Sequence, residues 1–161
     1  MLRAFDLGLV TALVMAVAYG VLWSVVELSW GLIAVGLIGG WAIGGAVKRG
    51  VISALLQRYP QEAAPEGGSV HRPWPRGTST LAGLLGLLAW IVGTYVSFAI
   101  VALREGSGEL LERLSPGNFA GYLNAIADQQ LLQAAILAAF IVLAAYTARQ
   151  PRLDLGERKR R

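Results

Sequence analysis

The acidic residues Glu105, Glu109 and Glu112 are the nearest thing to a chemically reactive cluster in this sequence. Their spacing places three carboxylates on one helical face, and carboxylate oxygens are the ligands that calcium prefers. Gly106 and Gly108 disfavour a continuous helix over this stretch, which favours a solvated surface segment instead. We therefore predict no metal site here.

Other catalytic chemistry lacks the residues it needs. The sequence contains no cysteine, which excludes disulfides and thiolate chemistry. Its single histidine, His71, offers no ligand pair for a haem. The glycine-rich stretch Gly31 to Gly45 has no Lys-Ser or Lys-Thr pair after it, so it is not a phosphate-binding loop. We predict a non-enzymatic protein without a cofactor.

The distribution of charge is the main guide to architecture. Hydrophobic residues make up 55% of the chain and charged residues 15%, whereas soluble domains have about 25% charged residues. Four windows carry no charge: Leu7 to Val26, Leu28 to Val47, Leu81 to Leu103 and Gln129 to Ala148. Each window has at least the roughly 20 residues that cross a bilayer core. We predict an all-α integral membrane protein, a bundle of four transmembrane helices in one domain.

This single membrane domain of 161 residues divides as follows. We place transmembrane helices at 7–27, 29–47, 80–103 and 130–148, a cytoplasmic loop at 48–79, an outer loop at 104–129 and a basic tail at 149–161. Lys48-Arg49-Gly50 predicts the end of the second helix, and Val51 to Arg58 predicts a short helix on the membrane surface. Ser115-Pro116 predicts an N-cap between two short amphipathic helices in the outer loop.

Small residues recur at helical spacing in the first three predicted spans. In a membrane such faces let two helix backbones approach closely. The predicted packing residues are Ala12, Ala16, Gly20 and Ser24 in the first span, Gly36, Gly40 and Gly44 in the second, and Gly86, Gly93 and Ser97 in the third. We expect the glycines of the second span to meet the small face of the first. We also expect serine and threonine side chains at such faces to form hydrogen bonds between helices.

Two segments are candidates for contact with lipid or a partner. Arg72, Trp74 and Arg76 fit an aromatic anchor beside lipid phosphates, or else a recognition peptide for another protein. Phe119 and Tyr122 belong to the outer segment 108–128, which either docks a partner or rests among lipid headgroups. Both alternatives stay open in each case.

The basic residues set the expected orientation. Of the 14 Lys and Arg residues, only Arg104 and Arg113 lie on the predicted outer side. Basic residues collect on cytoplasmic loops, and this topology explains the net charge of +4 without nucleic acid as a partner. We predict a bacterial inner (plasma) membrane protein with both termini in the cytoplasm.

The combination of small-residue faces and missing reactive groups favours a structural role. We expect an accessory, scaffold or assembly subunit that lies in membrane lipid and binds itself or another membrane protein through these small-residue faces. The alternative is an oligomeric channel or carrier for a small uncharged solute, since the four windows carry no ionisable residue of the kind found in proton relays.

The orientation predicts which sites an impermeant thiol reagent reaches in intact cells. A cysteine replacing Asn118 is expected to be labelled, whereas cysteines replacing Glu66 or Arg158 are expected to be protected until the cells are opened. Labelling of Glu66→Cys together with protection of Asn118→Cys would invert the topology.

Overall fold

All regular structure in the described part of the chain is helical. The computed structural model describes residues 2–25, 31–58, 74–105, 110–126 and 129–149. Its helices are α1 (Leu2–Val25), α2 (Gly31–Arg58), α3 (Thr78–Glu105), the single turn α4 (Leu110–Arg113), α5 (Pro116–Ala125) and α6 (Gln130–Thr147). The prediction of an all-α protein is confirmed.

Three helices are long and apolar enough to cross a membrane: Leu2–Val25, Gly31–Leu55 and Thr78–Arg104. The apolar part of α6, Leu131–Thr147, is shorter. Large apolar side chains point away from the bundle, and Trp41 of α2 is 61% exposed. Apolar side chains outside and small residues inside are the arrangement that lipid stabilises and water does not. The long helices therefore indicate membrane association.

One helix, α2, continues without interruption from Gly31 to Arg58. The predicted helix end at Lys48-Arg49-Gly50 and the separate short helix from Val51 to Arg58 are therefore wrong. Gly50 is buried because the backbone of Ala4 lies directly against it. Its missing side chain lets the start of α1 pack on α2, and this contact offsets the low helix propensity of glycine.

The four long helices form a ring in the order α1, α2, α6 and α3, with α2 and α3 also in contact across it. The positions at which glycines meet their neighbours show that α1 runs parallel to α3, and α2 parallel to α6. The core between them is built mainly from alanine with a few larger side chains, of which Tyr19, Phe140 and Ile43 are the largest fully buried.

Gly36, Gly40 and Gly44 of α2 face α6 and not α1. A Cβ atom added at Gly40 would lie 2.7 Å from the carbonyl oxygen of Ala139 and 2.9 Å from that of Phe140. The small face of α1 meets α3 instead, because a Cβ at Gly20 would lie 2.5 Å from the carbonyl oxygen of Gly93. The expected pairing of these two faces with each other is wrong, since each packs against the parallel helix beside it.

The predicted cap of α5 is confirmed. Ser115 is its N-cap, with Pro116 in the first turn, and the Ser115 hydroxyl accepts a hydrogen bond from the Asn118 backbone N–H at 3.4 Å. The Asn118 side-chain amide donates to the carbonyl oxygen of Glu112 at 2.8 Å. These bonds tie α4 to α5 and stabilise the turn between them.

The close contact at Gly40 predicts a large effect of Gly40→Leu on stability. The added side chain must push α2 and α6 apart, so we expect the melting temperature in detergent to fall by about 5–10 °C. Leu37→Ala, at a side chain that is 45% exposed, is expected to lower it by less than about 3 °C.

Gly45→Leu is the matched control, because a Cβ at Gly45 has no atom within 4 Å among the described residues. We expect it to leave the melting temperature nearly unchanged. Equal losses from Gly40→Leu and Gly45→Leu would show that stability does not depend on the close approach of α6.

Candidate functional site

A group of neutral polar side chains lies inside the bundle, towards the end where α1 finishes and α6 starts. Tyr19 on α1, Thr94 on α3 and Gln133 on α6 are each at least nine-tenths buried. Trp90 on α3 adds an indole whose Nε1 atom is fully buried. We call these four residues the interior polar group. Their hydroxyl, amide and indole groups form hydrogen bonds without carrying charge.

The position of Tyr19 is fixed by contacts with three helices. Gly93 makes room for its ring, because a Cβ at that position would lie 2.5 Å from the Tyr19 Cδ1 atom. Trp23 and Phe140 each pack edge-on against the ring, with centroid distances of 5.3 and 5.7 Å. The hydroxyl is therefore held in one place inside the bundle.

Four side-chain polar atoms of this group lack hydrogen-bond partners among the described residues. They are the Tyr19 hydroxyl, Trp90 Nε1, and both the oxygen and the nitrogen of the Gln133 amide. The Thr94 hydroxyl and the Trp90 indole N–H are polar neighbours of the Tyr19 hydroxyl. Each such buried group destabilises a fold by about 1–3 kcal/mol.

The register of α3 against α6 places Gln133 at the same level of the bundle. A Cβ at Gly86 would lie 2.6 Å from the Phe140 carbonyl oxygen, while Gly83 faces Ala145, so the two helices are antiparallel. A residue two turns after Gly86 on α3 is therefore level with a residue two turns before Phe140 on α6. That brings Gln133 level with Gly93, the residue that accommodates the Tyr19 ring.

Four aromatic rings hold α5 against the end of α3. We call Tyr95, Phe98, Phe119 and Tyr122 the ring cluster. Phe119 lies 5.3 Å from both Tyr95 and Phe98, and Tyr122 lies 5.5 Å from Phe98, measured between ring centroids. Pairs of this kind contribute about 0.5–1.5 kcal/mol each beyond the area they bury. Phe119 and Tyr122, which the sequence marked as partner or lipid contacts, therefore pack on their own chain.

Tyr122 connects the ring cluster to the interior polar group. Its hydroxyl lies 3.1 Å from the Ser97 hydroxyl, and Ser97 is fully buried one turn along α3 from Thr94. Burial raises the pKa of Tyr122, although the hydrogen bond with Ser97 lowers it. The phenol therefore stays protonated at neutral pH and remains able to donate or accept.

Several serine and threonine side chains of the long helices bond within their own helix. Thr11, Ser24 and Thr94 each donate to a carbonyl oxygen three or four residues earlier, at 2.8–2.9 Å. Of these three, only Ser24 belongs to a small-residue face, and the expectation of an interhelical bond is wrong for it, because a carbonyl oxygen of its own preceding turn is within reach. Ser97, which pairs with Tyr122, does bond between helices.

The predicted packing residues lie on the inner faces of their helices. The buried ones are Ala12, Ala16, Gly20, Gly36, Gly40, Gly44, Gly86, Gly93 and Ser97. Ser24 is half-buried, and its carbonyl oxygen accepts a hydrogen bond from Arg104 at 3.2 Å. Their use in binding a second protein stays a prediction.

The remaining candidates are spread over the surface or lie outside the described residues. Trp74 is half-buried and packs against the core, whereas Arg76 is exposed. Arg72 and Glu109 lie outside the described residues. Within the ranges that are described, no three His, Cys, Asp or Glu side chains are grouped as metal ligands.

The sequence shows most of these polar residues but not that they lie together. Tyr19, Thr94 and Gln133 were visible as polar residues in charge-free windows, whereas Trp90 was hidden among the apolar residues. A glutamine in an otherwise apolar helix was the strongest available signal. Its level relative to Tyr19 depends on helix register, which one sequence does not encode.

Fold and site together define an all-helical protein with three helices that can cross a membrane and a neutral polar group between them. Comparison with protein-family models, with curated proteins and with solved structures gave no match.

Proposed function

We propose that the chain is a non-enzymatic polytopic membrane protein in which α6 is a fourth span. Support comes from the side-by-side packing of α6 on α2. Successive glycines of α2, from Gly36 through Gly40 to Gly44, face successive turns of α6 from Ile136 to Thr147. A helix that lies parallel to an apolar span over three turns occupies the same depth of membrane.

On this proposal the protein is an accessory or assembly subunit of a bacterial inner membrane, with both termini in the cytoplasm. The small-residue faces are the less suitable surface for a partner, because their glycines are already covered by α6 and α3. The binding surface is then on the outside of the bundle or on the segment formed by α4 and α5.

The observation that carries this proposal is the attachment of α5 to the end of α3. The ring cluster and the hydrogen bond between Ser97 and Tyr122 fix α5 in place. Leu123 and Asn124 of α5 are exposed to the surroundings, and Leu123 is 37% exposed. A fixed helix outside the long apolar helices is a suitable docking surface for another subunit.

Leu123→Glu is expected to remove a stoichiometric partner or a homo-oligomer at unchanged expression, because a charge replaces an exposed apolar side chain of α5. Native mass spectrometry of the protein extracted with its lipids measures the assembly. Gln129→Glu, at an exposed residue beyond α5, is the matched control.

An accessory role requires that the wild-type chain be found in an assembly. A chain that is monomeric on extraction, or an assembly that Leu123→Glu leaves intact, would contradict docking through α5.

A channel or carrier for a small uncharged solute is the second candidate. The buried hydroxyl, amide and indole groups of the interior polar group favour it, since they lie in helices whose apolar windows carry no charge. Glycerol flux into proteoliposomes, measured against empty liposomes, distinguishes this role from a purely structural one.

A further inference from the structure

We propose that Tyr19, Trp90, Thr94 and Gln133 bind a small uncharged molecule that has a hydroxyl or carboxamide group. This binding site rests on the helix arrangement, and it holds whether the protein assembles with a partner or acts alone. The proposal concerns a site within a single chain, between α1, α3 and α6.

The first argument is the number of free polar atoms at one level of the bundle. The Tyr19 hydroxyl, the Trp90 indole N–H and both amide atoms of Gln133 are buried without partners among the described residues. Buried polar groups in folded proteins are nearly always hydrogen-bonded, to protein or to a bound polar molecule such as water. A set of free groups on three different helices is therefore better explained by a ligand than by a single local defect.

The second argument is the chemistry of those atoms. Trp90 Nε1 is a donor only, the Gln133 amide offers a donor and an acceptor, and the Tyr19 hydroxyl can do either. The Thr94 hydroxyl already donates to the Trp90 carbonyl oxygen at 2.8 Å, so it has only acceptor capacity left. A molecule that satisfies this set must accept at least one hydrogen bond and donate at least one. Alcohols and carboxamides do both.

The third argument concerns charge. The members of the interior polar group are neutral, and the windows Leu7 to Val26, Leu81 to Leu103 and Gln129 to Ala148 contain no charged residue. An ion in such surroundings would be stripped of water without a counter-charge, which is strongly unfavourable. The site therefore selects against ions and for neutral solutes.

The outer end of the site lies next to α5. Tyr122 bonds Ser97, which follows Thr94 by one turn of α3. The ring cluster packs α5 against α3 at this end, so the site and α5 share one helix.

Thermal unfolding of the full chain in nanodiscs, with acetamide as the probe, tests the site. We expect a saturable rise of at least about 2 °C in the melting temperature of the wild type, because a ligand that binds only the folded state stabilises it. Sodium acetate, a charged analogue of the same shape, is expected to give no saturable rise.

Two variants and a control assign the effect to these residues. Tyr19→Phe is expected to weaken the acetamide response about fivefold to tenfold in concentration, the effect of one lost hydrogen bond. Tyr19→Phe combined with Gln133→Leu is expected to abolish it. Tyr146→Phe makes the same chemical change at a residue that is 63% exposed, and it should respond as the wild type does.

Several outcomes would overturn the site. They are a wild type without a saturable rise, an equal rise in the double variant, and an equal response to acetate and acetamide. If the double variant is much less stable than the wild type in the absence of acetamide, these atoms form hydrogen bonds with one another. The acetamide response of Tyr19→Phe alone then decides whether Tyr19 takes part in binding. Partner co-purification is measured separately, so failure of this site leaves the assembly proposal to its own test.

Discussion

The fold depends on how closely helix backbones can approach one another where side chains are missing. A Cβ atom at Gly20, Gly40 or Gly86 would lie 2.5–2.7 Å from a carbonyl oxygen of the neighbouring helix, a distance that no real Cβ atom occupies. Lipid supplies no hydrophobic drive for helix association, so dispersion contacts at short range are the main attraction left. The ring of helices follows from which small faces meet.

That close packing also creates the polar interior. Glycine at position 93 lets the Tyr19 ring enter the space between α1 and α3, and Phe140 covers it from α6. A hydroxyl carried inward in this way leaves bulk water behind. The unpaired atoms of Tyr19, Trp90 and Gln133 are therefore a direct consequence of the contacts that hold the helices together.

Sequence patterns predicted where the helices lie better than they predicted which helices pack against one another. The charge-free windows predicted where the long helices lie, and Ser115-Pro116 predicted the start of α5, because both signals are local. The pairing of faces was wrong, since a repeat of small residues every four positions looks the same on α1, α2 and α3. Such a repeat shows that a helix can be approached closely, but it does not identify the helix that approaches.

The prediction of a helix end at Gly50 was wrong because it, too, depends on a contact between helices. Lysine, arginine and glycine together are typical of a helix C-terminus, but the backbone of Ala4 lies against Gly50 and favours continuation of α2. The sequence also did not predict that Gln133 lies at the same level of the bundle as Tyr19, because this depends on the register between α3 and α6.

The interior polar group and α5 are linked through a single face of α3. Trp90, Thr94 and Ser97 follow one another at intervals of four and three residues, so they lie on one side of the helix. The first two belong to the interior polar group, and the third bonds Tyr122 of α5. Any displacement of α5 must therefore break or strain a hydrogen bond that begins one turn from Thr94. A partner that docks on α5 and a solute that binds Tyr19 would thus act on the same helix face.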